Sequence, residues 1–377
     1  MPEPAYPAAR SVAKAVETHF RRHFDLAQEQ GRSDVAHVPD APSVERMVDA
    51  AFWASLRREE GREPRISLAY LSPEQAGHPL RLDHRLSLDP ATLTRLSPAV
   101  ERPGIHLGVW HDGDELYVWG ATRTLPPLCF VLEVVEPGLL VIKHRRANTA
   151  GKLANVAVLE GDQIKVVDPQ STFSSDCPDF VNSLLGLDEP SGDGVSVLLQ
   201  LALSMRAHRH GGSLLVVPHH ADGWRDSILW PVPYVVTPPF PKVGELMRTP
   251  IAQRSDSAWQ GAFRSAIDAV AGLTAVDGAT VLSDQWDLLA FGAKIGRQEA
   301  RTAVEQVMVS EPIVGQAAVV VHPALLGGTR HLSAAQFVHE QRDSLALVAS
   351  QDGRFTVFAW SDGDGMVEGY RVEALLL

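Results

Sequence analysis

A polar stretch near the middle of the chain constrains the fold most, because it separates two different residue patterns. Residues 168–176 are polar, and residues 187–194 contain Asp, Glu, Pro, Ser and Gly. Before this stretch, short apolar strands alternate with tight turns, whereas after it helical segments lead into buried strands. A chain of 377 residues is long for one domain. We therefore predict an N-terminal domain over residues 1–185 and a C-terminal domain over residues 190–377.

The N-terminal half has the pattern of an α+β domain. Helical spacing of apolar residues predicts helices over Ser11–Gln30 and Met47–Arg58. The turn at residues 111–114 predicts a β-hairpin around it. The predicted strands are Ile66–Leu71, Ile105–Trp110, Glu115–Gly120, Phe130–Val135, Gly138–Lys143, Val156–Leu159 and Gln163–Val167.

The C-terminal half alternates helices with apolar strands. We predict helices over Gly194–His208 and Ala258–Ala271, and a buried strand over Ser213–Val217. The Pro-rich segment Trp230–Pro241 predicts an extended loop. Residues 242–257 are either an insertion that covers a pocket or a plain surface loop.

Composition excludes several classes of protein. A net charge of −12 argues against nucleic-acid binding through a basic face. No apolar run approaches the ~18–20 residues that cross a bilayer. The N-terminus lacks the pattern of a signal peptide, so we expect a cytoplasmic protein with no membrane partner. Cys129 and Cys177, the chain's 2 cysteines, form no CxxC motif and predict neither a zinc site nor a disulfide framework.

Two short segments in the second half carry the residue types that bind nucleotides. The first is Asp277-Gly278-Ala279, where a carboxylate precedes a residue without a side chain. The second is Gly328-Thr329-Arg330-His331, at the start of an Ala-rich helix. A metal-bound nucleoside triphosphate needs an acid for the cation, bare backbone for close approach and donors for phosphate.

These segments resemble the Asp-Gly-Ala and Gly-Thr-Arg-His-Arg signatures of the diadenylate cyclase domain. The resemblance covers about residues 190–365 and includes the turn at residues 350–353, where that family carries Ser-Glu-Glu. It implies an α/β domain with a central mixed β-sheet flanked by helices. It also implies an enzyme that condenses two ATP into cyclic di-AMP and pyrophosphate with Mg²⁺ or Mn²⁺. The active site of that family is completed between facing domains of a homo-oligomer, at least a dimer.

The N-terminal half is similar to the DACNV type of sensor-like domain found before some cyclases of this group. The similarity rests on the order of elements and on the segments Phe52–Leu56 and Gly108–Trp110. It implies a signal or ligand that regulates the second half, without naming the ligand.

The resemblance implies a role for each candidate residue. Asp277 would hold the metal and polarise the attacking hydroxyl, and Arg330 would bind two phosphate oxygens as lysine could not. His331 would hydrogen-bond phosphate or brace its loop. The remaining predicted nucleotide-binding residues are Gly278, Ala279, Gly328, Thr329, Ser350 and Asp352.

The chain departs from the family at positions that matter for catalysis. Leu332 replaces an arginine, and Gln351-Asp352 replaces two glutamates. The alternative is therefore a weakened cyclase fold that binds a nucleotide or cyclic dinucleotide without turnover. A relic scaffold and a different nucleotide, such as GTP, also stay open.

Ordinary structural roles are the alternatives for the same residues. Asp277-Gly278 is also a common turn dipeptide, and residues 351–353 could be a hairpin turn. His331 could be a loop histidine bonded to backbone.

Other polar clusters suggest weaker hypotheses. His208, His210, His219 and His220 flank a predicted strand and suggest a metal site, which would require them to converge. The basic run at residues 143–146 is either a solvated loop or a contact for an anionic ligand.

Overall fold

The computed structural model describes residues 5–113, 115–146, 153–168, 177–179, 181, 196–220, 222–297 and 302–377. The chain forms two compact units, Met1–Asp168 together with Leu377, and Pro169–Leu376. We call them the N-terminal unit and the C-terminal unit. Among the described residues, no helix is both long enough and apolar enough to cross a membrane.

The helices of the N-terminal unit begin at clear sequence signals. They are α1 (Pro7–Glu29), α2 (Ala41–Ser55) and α3 (Pro90–Val100). Asp40 and Asp89 cap α2 and α3, each accepting a hydrogen bond of 2.9 Å from a backbone N–H three residues on. Each helix also carries a proline in its first turn, where the missing N–H costs nothing.

The strands of the N-terminal unit form one eight-stranded sheet in the order β2-β4-β3-β1-β5-β6-β7-β8. Strands β1 and β3 are parallel, and the other neighbours are antiparallel. The strands are β1 (Ile66–Tyr70), β2 (Leu80–Ser87), β3 (His106–Asp112), β4 (Glu115–Thr122), β5 (Phe130–Glu136), β6 (Leu139–Arg145), β7 (Leu153–Glu160) and β8 (Gln163–Val166).

The helices of this unit cover one face of its sheet. Phe20 of α1 and Met47 of α2 are buried in the same cluster as Leu132 and Ile142 of the sheet. Alternate residues of the strands belong to a smaller cluster that includes Trp119. The period of two residues in the strands therefore accounts for both apolar layers.

Two elements of this unit were not predicted. Strand β2 was missed because it is exposed along almost its whole length and lacks the apolar alternation of a half-buried strand. Helix α3 was also missed. The prediction for α2 began too late, because the capping Asp40 starts the helix at Ala41.

The C-terminal unit is built on a nine-stranded mixed sheet in the order β10-β12-β11-β9-β15-β16-β17-β13-β14. The strands are β9 (Gly212–Val217), β10 (Tyr234–Phe240), β11 (Ala279–Ser283), β12 (Leu288–Ala293), β13 (Val307–Ser310), β14 (Val319–Val321), β15 (Leu345–Ala349), β16 (Phe355–Ser361) and β17 (Met366–Arg371). The helices are α4 (Val197–Ala207), α5 (Lys242–Met247), α6 (Ser257–Leu273) and α7 (Thr329–Glu340). Short 3₁₀ turns lie at Gly223–Ser227, Ile251–Gln253, Pro323–Leu325 and Glu373–Leu375.

Helices pack on both faces of this sheet. Leu214 and Val216 of β9 are buried in one cluster with α4 and α6. Leu215 and Val217 point to the opposite face, in a second cluster with α7. Continuous apolar strands such as β9 are typical of a sheet buried on both faces. This arrangement agrees with the predicted α/β class and the predicted mixed sheet.

The Pro-rich segment is an edge strand rather than the predicted loop. Strand β10 pairs antiparallel with β12, and its register shifts between Val235 and Phe240. Pro238 and Pro239 lie within that irregular stretch. A proline has no N–H to donate, so it is tolerated at an edge or a bulge.

Residues 242–257 are a packed helical segment rather than a plain loop. Val243 of α5 is buried, and the indole Nε1 of Trp259 donates to the carbonyl oxygen of Leu246 at 3.0 Å. The guanidinium of Arg254 donates to the carbonyl oxygen of Thr249 at 2.9 Å. The Trp259 contact holds α5 against α6, whereas the Arg254 contact lies within the segment itself.

Candidate functional site

Strand register brings the predicted site segments to one end of the C-terminal sheet. Strands β9 and β11 are parallel, with Ala279 opposite Ser213. Strands β9 and β15 are antiparallel, with Ala349 opposite Gly212. The residues before β11, the residues before β9 and the turn after β15 therefore lie side by side. We call this edge the Asp277 end of the sheet.

Gly278 fixes the geometry of the loop that carries Asp277. Its φ of +105° lies in a region that residues with side chains rarely adopt. A Cβ at this position would approach the carbonyl carbon of Gly292 to 2.4 Å. The backbone of Gly278 thus packs directly against β12, and Ala279 continues into the buried part of β11.

Asp277 itself lies in solvent. Its side chain is 88% exposed, and its Oδ2 is 3.5 Å from the Nζ of Lys294, which follows β12. An exposed ion pair of this kind stabilises the fold little, so the carboxylate can bind a ligand without loss of stability. Sequence reasoning missed Lys294, because it faces Asp277 only through the pairing of β11 with β12.

Arg330 reaches the same end from the first turn of α7. The residue is exposed, and its Nη1 lies 3.0 Å from the position that a Cβ of Gly211 would occupy. The carbonyl oxygen of Ala349 lies 3.1 Å from that position. The guanidinium is therefore beside the end of β15. Adjacent strands are about 4.8 Å apart, so β11 and β15, on either side of β9, are on the order of 10 Å apart.

The start of α7 leaves backbone donors free of a side-chain cap. Gly328 occupies the N-cap position and has no side chain that could accept from the first turn. Thr329 is exposed at the first helical position. Uncapped N–H groups at the positive end of a helix dipole favour an anion.

His331 is inside the unit rather than on its surface. It is 2% exposed, and its Nε2 lies 3.4 Å from the Oγ1 of Thr356. Its ring packs against Gly327, whose Cβ would lie 2.3 Å from Nδ1. Burial, followed by the charge of Arg371, lowers the pKa of His331 and keeps the imidazole neutral. This position suits the predicted bracing role, whereas contact with phosphate would require the packing to open.

The Ser350–Gly353 turn is a hairpin turn and also lies at the Asp277 end. The N–H of Ser350 donates to the carbonyl oxygen of Arg354 at 2.9 Å. The amide Nε2 of Gln351 donates to the carbonyl oxygen of His210 at 3.3 Å. Asp352 is exposed and pairs with Arg354 at 3.4 Å. The turn is therefore the predicted hairpin turn, and its position also allows its side chains to contribute to the candidate site.

A contact that sequence reasoning missed supports the glycine turn before β9. A Cβ on Gly212 would lie 2.4 Å from the carbonyl oxygen of Thr274, at the end of α6. The Oγ1 of Thr274 lies 3.1 Å from the Nε2 of His208. Burial lowers the pKa of His208, and the neighbouring His210 lowers it further. These residues lock the ends of α4 and α6 to the sheet.

The predicted histidine metal site is wrong, because its members lie apart. His208 and His210 precede β9, whereas His219 and His220 follow it. A six-residue strand is about 20 Å long. The pairs therefore cannot share an ion.

The basic run at residues 143–146 is not a solvated loop. Lys143 lies in β6 and pairs with Glu133 at 2.6 Å, and His144 is buried. The structure corrects the prediction because the strand continues to Arg145.

Comparison with known proteins identifies the character of the N-terminal unit. A protein-family model described as "Probable sensor domain DACNV" matches residues 33–123, which span α2 to β4. The predicted similarity of the N-terminal half to the DACNV type is confirmed over these residues. A search of curated proteins finds no match to the chain.

Proposed function

We propose that the C-terminal unit binds a nucleoside triphosphate at the Asp277 end of its sheet. We propose further that two facing copies condense two ATP into cyclic di-AMP, with release of two pyrophosphates. The observation that supports this proposal is that the exposed Asp277, before β11, and the exposed Arg330, beside Gly211 and the end of β15, lie at one end of the sheet. Asp277 and Arg330 are far apart in the sequence, and the fold brings them to the same edge.

The reaction needs positioning and charge neutralisation more than covalent chemistry by the protein. The 3′-hydroxyl of one nucleotide attacks the α-phosphorus of the other, a P–O bond forms, and pyrophosphate leaves in line. Asp277 accepts a hydrogen bond from that hydroxyl. Arg330 neutralises phosphate oxygens through two parallel N–H bonds. The first turn of α7, with Gly328 and Thr329, donates to the same group.

The residues at this end fit a divalent cation bound together with the substrate. Mg²⁺ is usually held by one or two carboxylates plus substrate phosphates rather than by an all-protein cage. The exposed carboxylate of Asp277 is one such ligand, and Asp352 lies in the neighbouring turn. Bound Mg²⁺ or Mn²⁺ would offset the charge of the triphosphate.

The product requires a second copy of the chain. One C-terminal unit carries one Asp277 end, whereas cyclic di-AMP contains two phosphodiester bonds. We therefore propose a homo-oligomer, at least a dimer, in which the N-terminal sensor domain sets the assembly. The match of residues 33–123 supports this regulatory role.

A second candidate function is binding without turnover. Gln351, which replaces a glutamate of the family, donates its amide to the carbonyl oxygen of His210. Leu332, which replaces an arginine, packs against the apolar cluster around α7. Both side chains make contacts within the unit, where the family carries charged residues. This favours a sensor that binds a nucleotide or cyclic dinucleotide without turnover.

One set of experiments separates these functions. The full chain is incubated with each of the four ribonucleoside triphosphates in Mg²⁺ and in Mn²⁺, and the products are separated by chromatography. Calorimetry with ATP and with cyclic di-AMP measures binding in parallel. Cyclic di-AMP formed from ATP supports the cyclase, and binding without product supports the sensor. A chain that binds none of these ligands contradicts both.

A further inference from the structure

Three histidines of the N-terminal unit converge between α1 and β6. His19 and His23 are one helical turn apart on α1, so their side chains share a face. His144 approaches them from β6, and its Nδ1 lies 3.0 Å from the Nε2 of His19. One ring nitrogen of each histidine lies within 4.8 Å of the others. In the described part of the chain, this is the group of side chains arranged to hold a metal ion.

The spacing of these nitrogens suits a small transition-metal ion. Zinc binds imidazole nitrogen at about 2.0–2.1 Å, so nitrogens on a tetrahedral zinc are about 3.3 Å apart. The separation between the His19 and His144 nitrogens, 3.0 Å, is close to that value, and the nitrogens of all three histidines lie within 4.8 Å of one another. The ring centroids lie 4.4 Å apart for His19 and His23, and 5.1 Å apart for His23 and His144. Small side-chain rotations would therefore complete the site.

The surroundings keep the imidazoles in the form that binds metals. Burial lowers the pKa of His19 to about 3, and it also lowers the pKa values of His23 and His144. A neutral imidazole offers a lone pair to a cation. The charges of Arg22 and Arg146 oppose a bare cation, since both act on the cluster. An anion in an open coordination position would offset that charge.

We propose that His19, His23 and His144 bind one zinc-class transition-metal ion, with a fourth position left for water or a small anion. Three protein ligands and an open position are the arrangement of zinc sites that exchange ligands. Imidazole ligands favour Zn²⁺, Cu²⁺ or Ni²⁺ over Mg²⁺, which prefers oxygen. The site lies outside the matched residues 33–123 and belongs to the N-terminal unit, whereas Asp277 belongs to the C-terminal unit. A bound ion would tie α1 to the central sheet of the unit.

The test uses the full chain, purified without a polyhistidine tag and stripped with a chelator. Calorimetric titration with ZnCl₂, and separately with MgCl₂, measures affinity and stoichiometry. We expect one tight Zn²⁺ per chain and no comparable Mg²⁺ binding without nucleotide. The double substitution His19→Gln and His23→Gln should weaken Zn²⁺ binding at least tenfold. His144 is left unchanged because it is buried and its loss could disturb folding.

Matched controls separate this site from other ligands. His84→Gln and His220→Gln remove exposed histidines elsewhere and should leave the affinity unchanged. Circular dichroism of each variant verifies the fold, and Zn²⁺ should raise the melting temperature of the native chain but not that of the double variant. Absence of Zn²⁺ binding overturns the proposal. Equal Zn²⁺ affinity in a folded double variant overturns it as well.

Discussion

The two units place their reactive side chains in opposite environments. In the N-terminal unit, His19, His23 and His144 meet between a helix and the sheet, and His144 is 9% exposed. In the C-terminal unit, the side chain of Asp277 is 88% exposed on a loop at the sheet end. The partly buried histidine cluster has its geometry fixed by packing, whereas loop residues depend on the backbone beneath them. The two sites are therefore expected to respond to different substitutions.

The largest effect is expected from Asp277→Asn. If Asp277 acts on metal and hydroxyl, its loss should lower product formation about 100-fold or more, as losses of charge-stabilising groups do. The melting temperature should not change, because the carboxylate is exposed and its ion pair with Lys294 is weak. Chromatography of the reaction products with ATP provides the measurement.

Asp284→Asn is the matched control for this substitution. Asp284 is exposed at the opposite end of β11, where it accepts a hydrogen bond from the N–H of His219 at 2.9 Å. Its substitution should leave turnover unchanged. If Asp277→Asn formed product at the native rate, Asp277 would have no role in the reaction, and the proposed site at this end of the sheet would be contradicted.

Gly278→Ala should act on the backbone beneath the site. A Cβ at 2.4 Å from Gly292, together with a φ of +105°, should cost about 2–4 kcal/mol of unfolding free energy. Urea unfolding followed by circular dichroism provides the measurement. Gly261→Ala is the control, because its Cβ would meet no atom within 4 Å on the exposed face of α6.

The control should change stability in the opposite direction. Alanine in a helix interior is favoured over glycine by about 0.8–1 kcal/mol, so Gly261→Ala should stabilise the unit. Equal effects of the two substitutions would show that Gly278 is not a geometric requirement of the loop.

Arg330→Lys should weaken nucleotide binding while keeping the charge. Loss of a bidentate phosphate contact typically costs about 1.5–3 kcal/mol, which is roughly a 10- to 150-fold loss of affinity for ATP. Calorimetry measures the change. Arg342→Lys serves as the control, because Arg342 lies over the ring of Trp360, 3.9 Å from its centroid, beyond the other end of α7. Equal ATP affinity in the native chain and Arg330→Lys would contradict phosphate binding by Arg330.

The smallest effect concerns the pH dependence that the buried His106 gives to the N-terminal unit. Burial lowers the pKa of His106, which lies 2.7 Å from the Oγ of Ser67 and also faces Glu133 and Lys143. Between that lowered pKa and about 6.5, the unfolded chain binds a proton that the folded chain does not. The free energy of unfolding should therefore fall as pH drops below about 6.5.

Urea unfolding at pH 7.5 and pH 5.5, with a chelator present, measures this dependence. The variant His106→Asn should lose part of it, because asparagine does not titrate. An identical pH dependence in both proteins would contradict the prediction for His106.

The sequence drew attention to the residues at the Asp277 end but not to the histidine cluster of the N-terminal unit. Asp277-Gly278 and Gly328–Arg330 are contiguous segments whose residue types suggest nucleotide chemistry before any fold is known. That they share a sheet end depends on β9 lying between β11 and β15, which no local pattern specifies. Lys294 was missed because it approaches Asp277 only through the pairing of β11 with β12, which no local pattern specifies either.

The histidine cluster shows why the rest was not predicted. His19 and His23 have the spacing of one helical turn, and the helix around them was predicted. The sequence therefore already indicates that these two histidines share a helix face. His144 lies 125 residues away from His19 in sequence. Only the packing of α1 on the sheet brings it near. The exposed strand β2 was missed because edge strands carry little apolar periodicity.

The prolines of β10 limit how copies of this chain can associate. A sheet grows by adding a strand whose carbonyl oxygens accept from free N–H groups on the outer edge. Pro238 and Pro239 have no N–H to donate, so this stretch of the terminal strand offers fewer such donors. A second subunit is therefore not expected to extend the hydrogen-bonded ladder at the β10 edge.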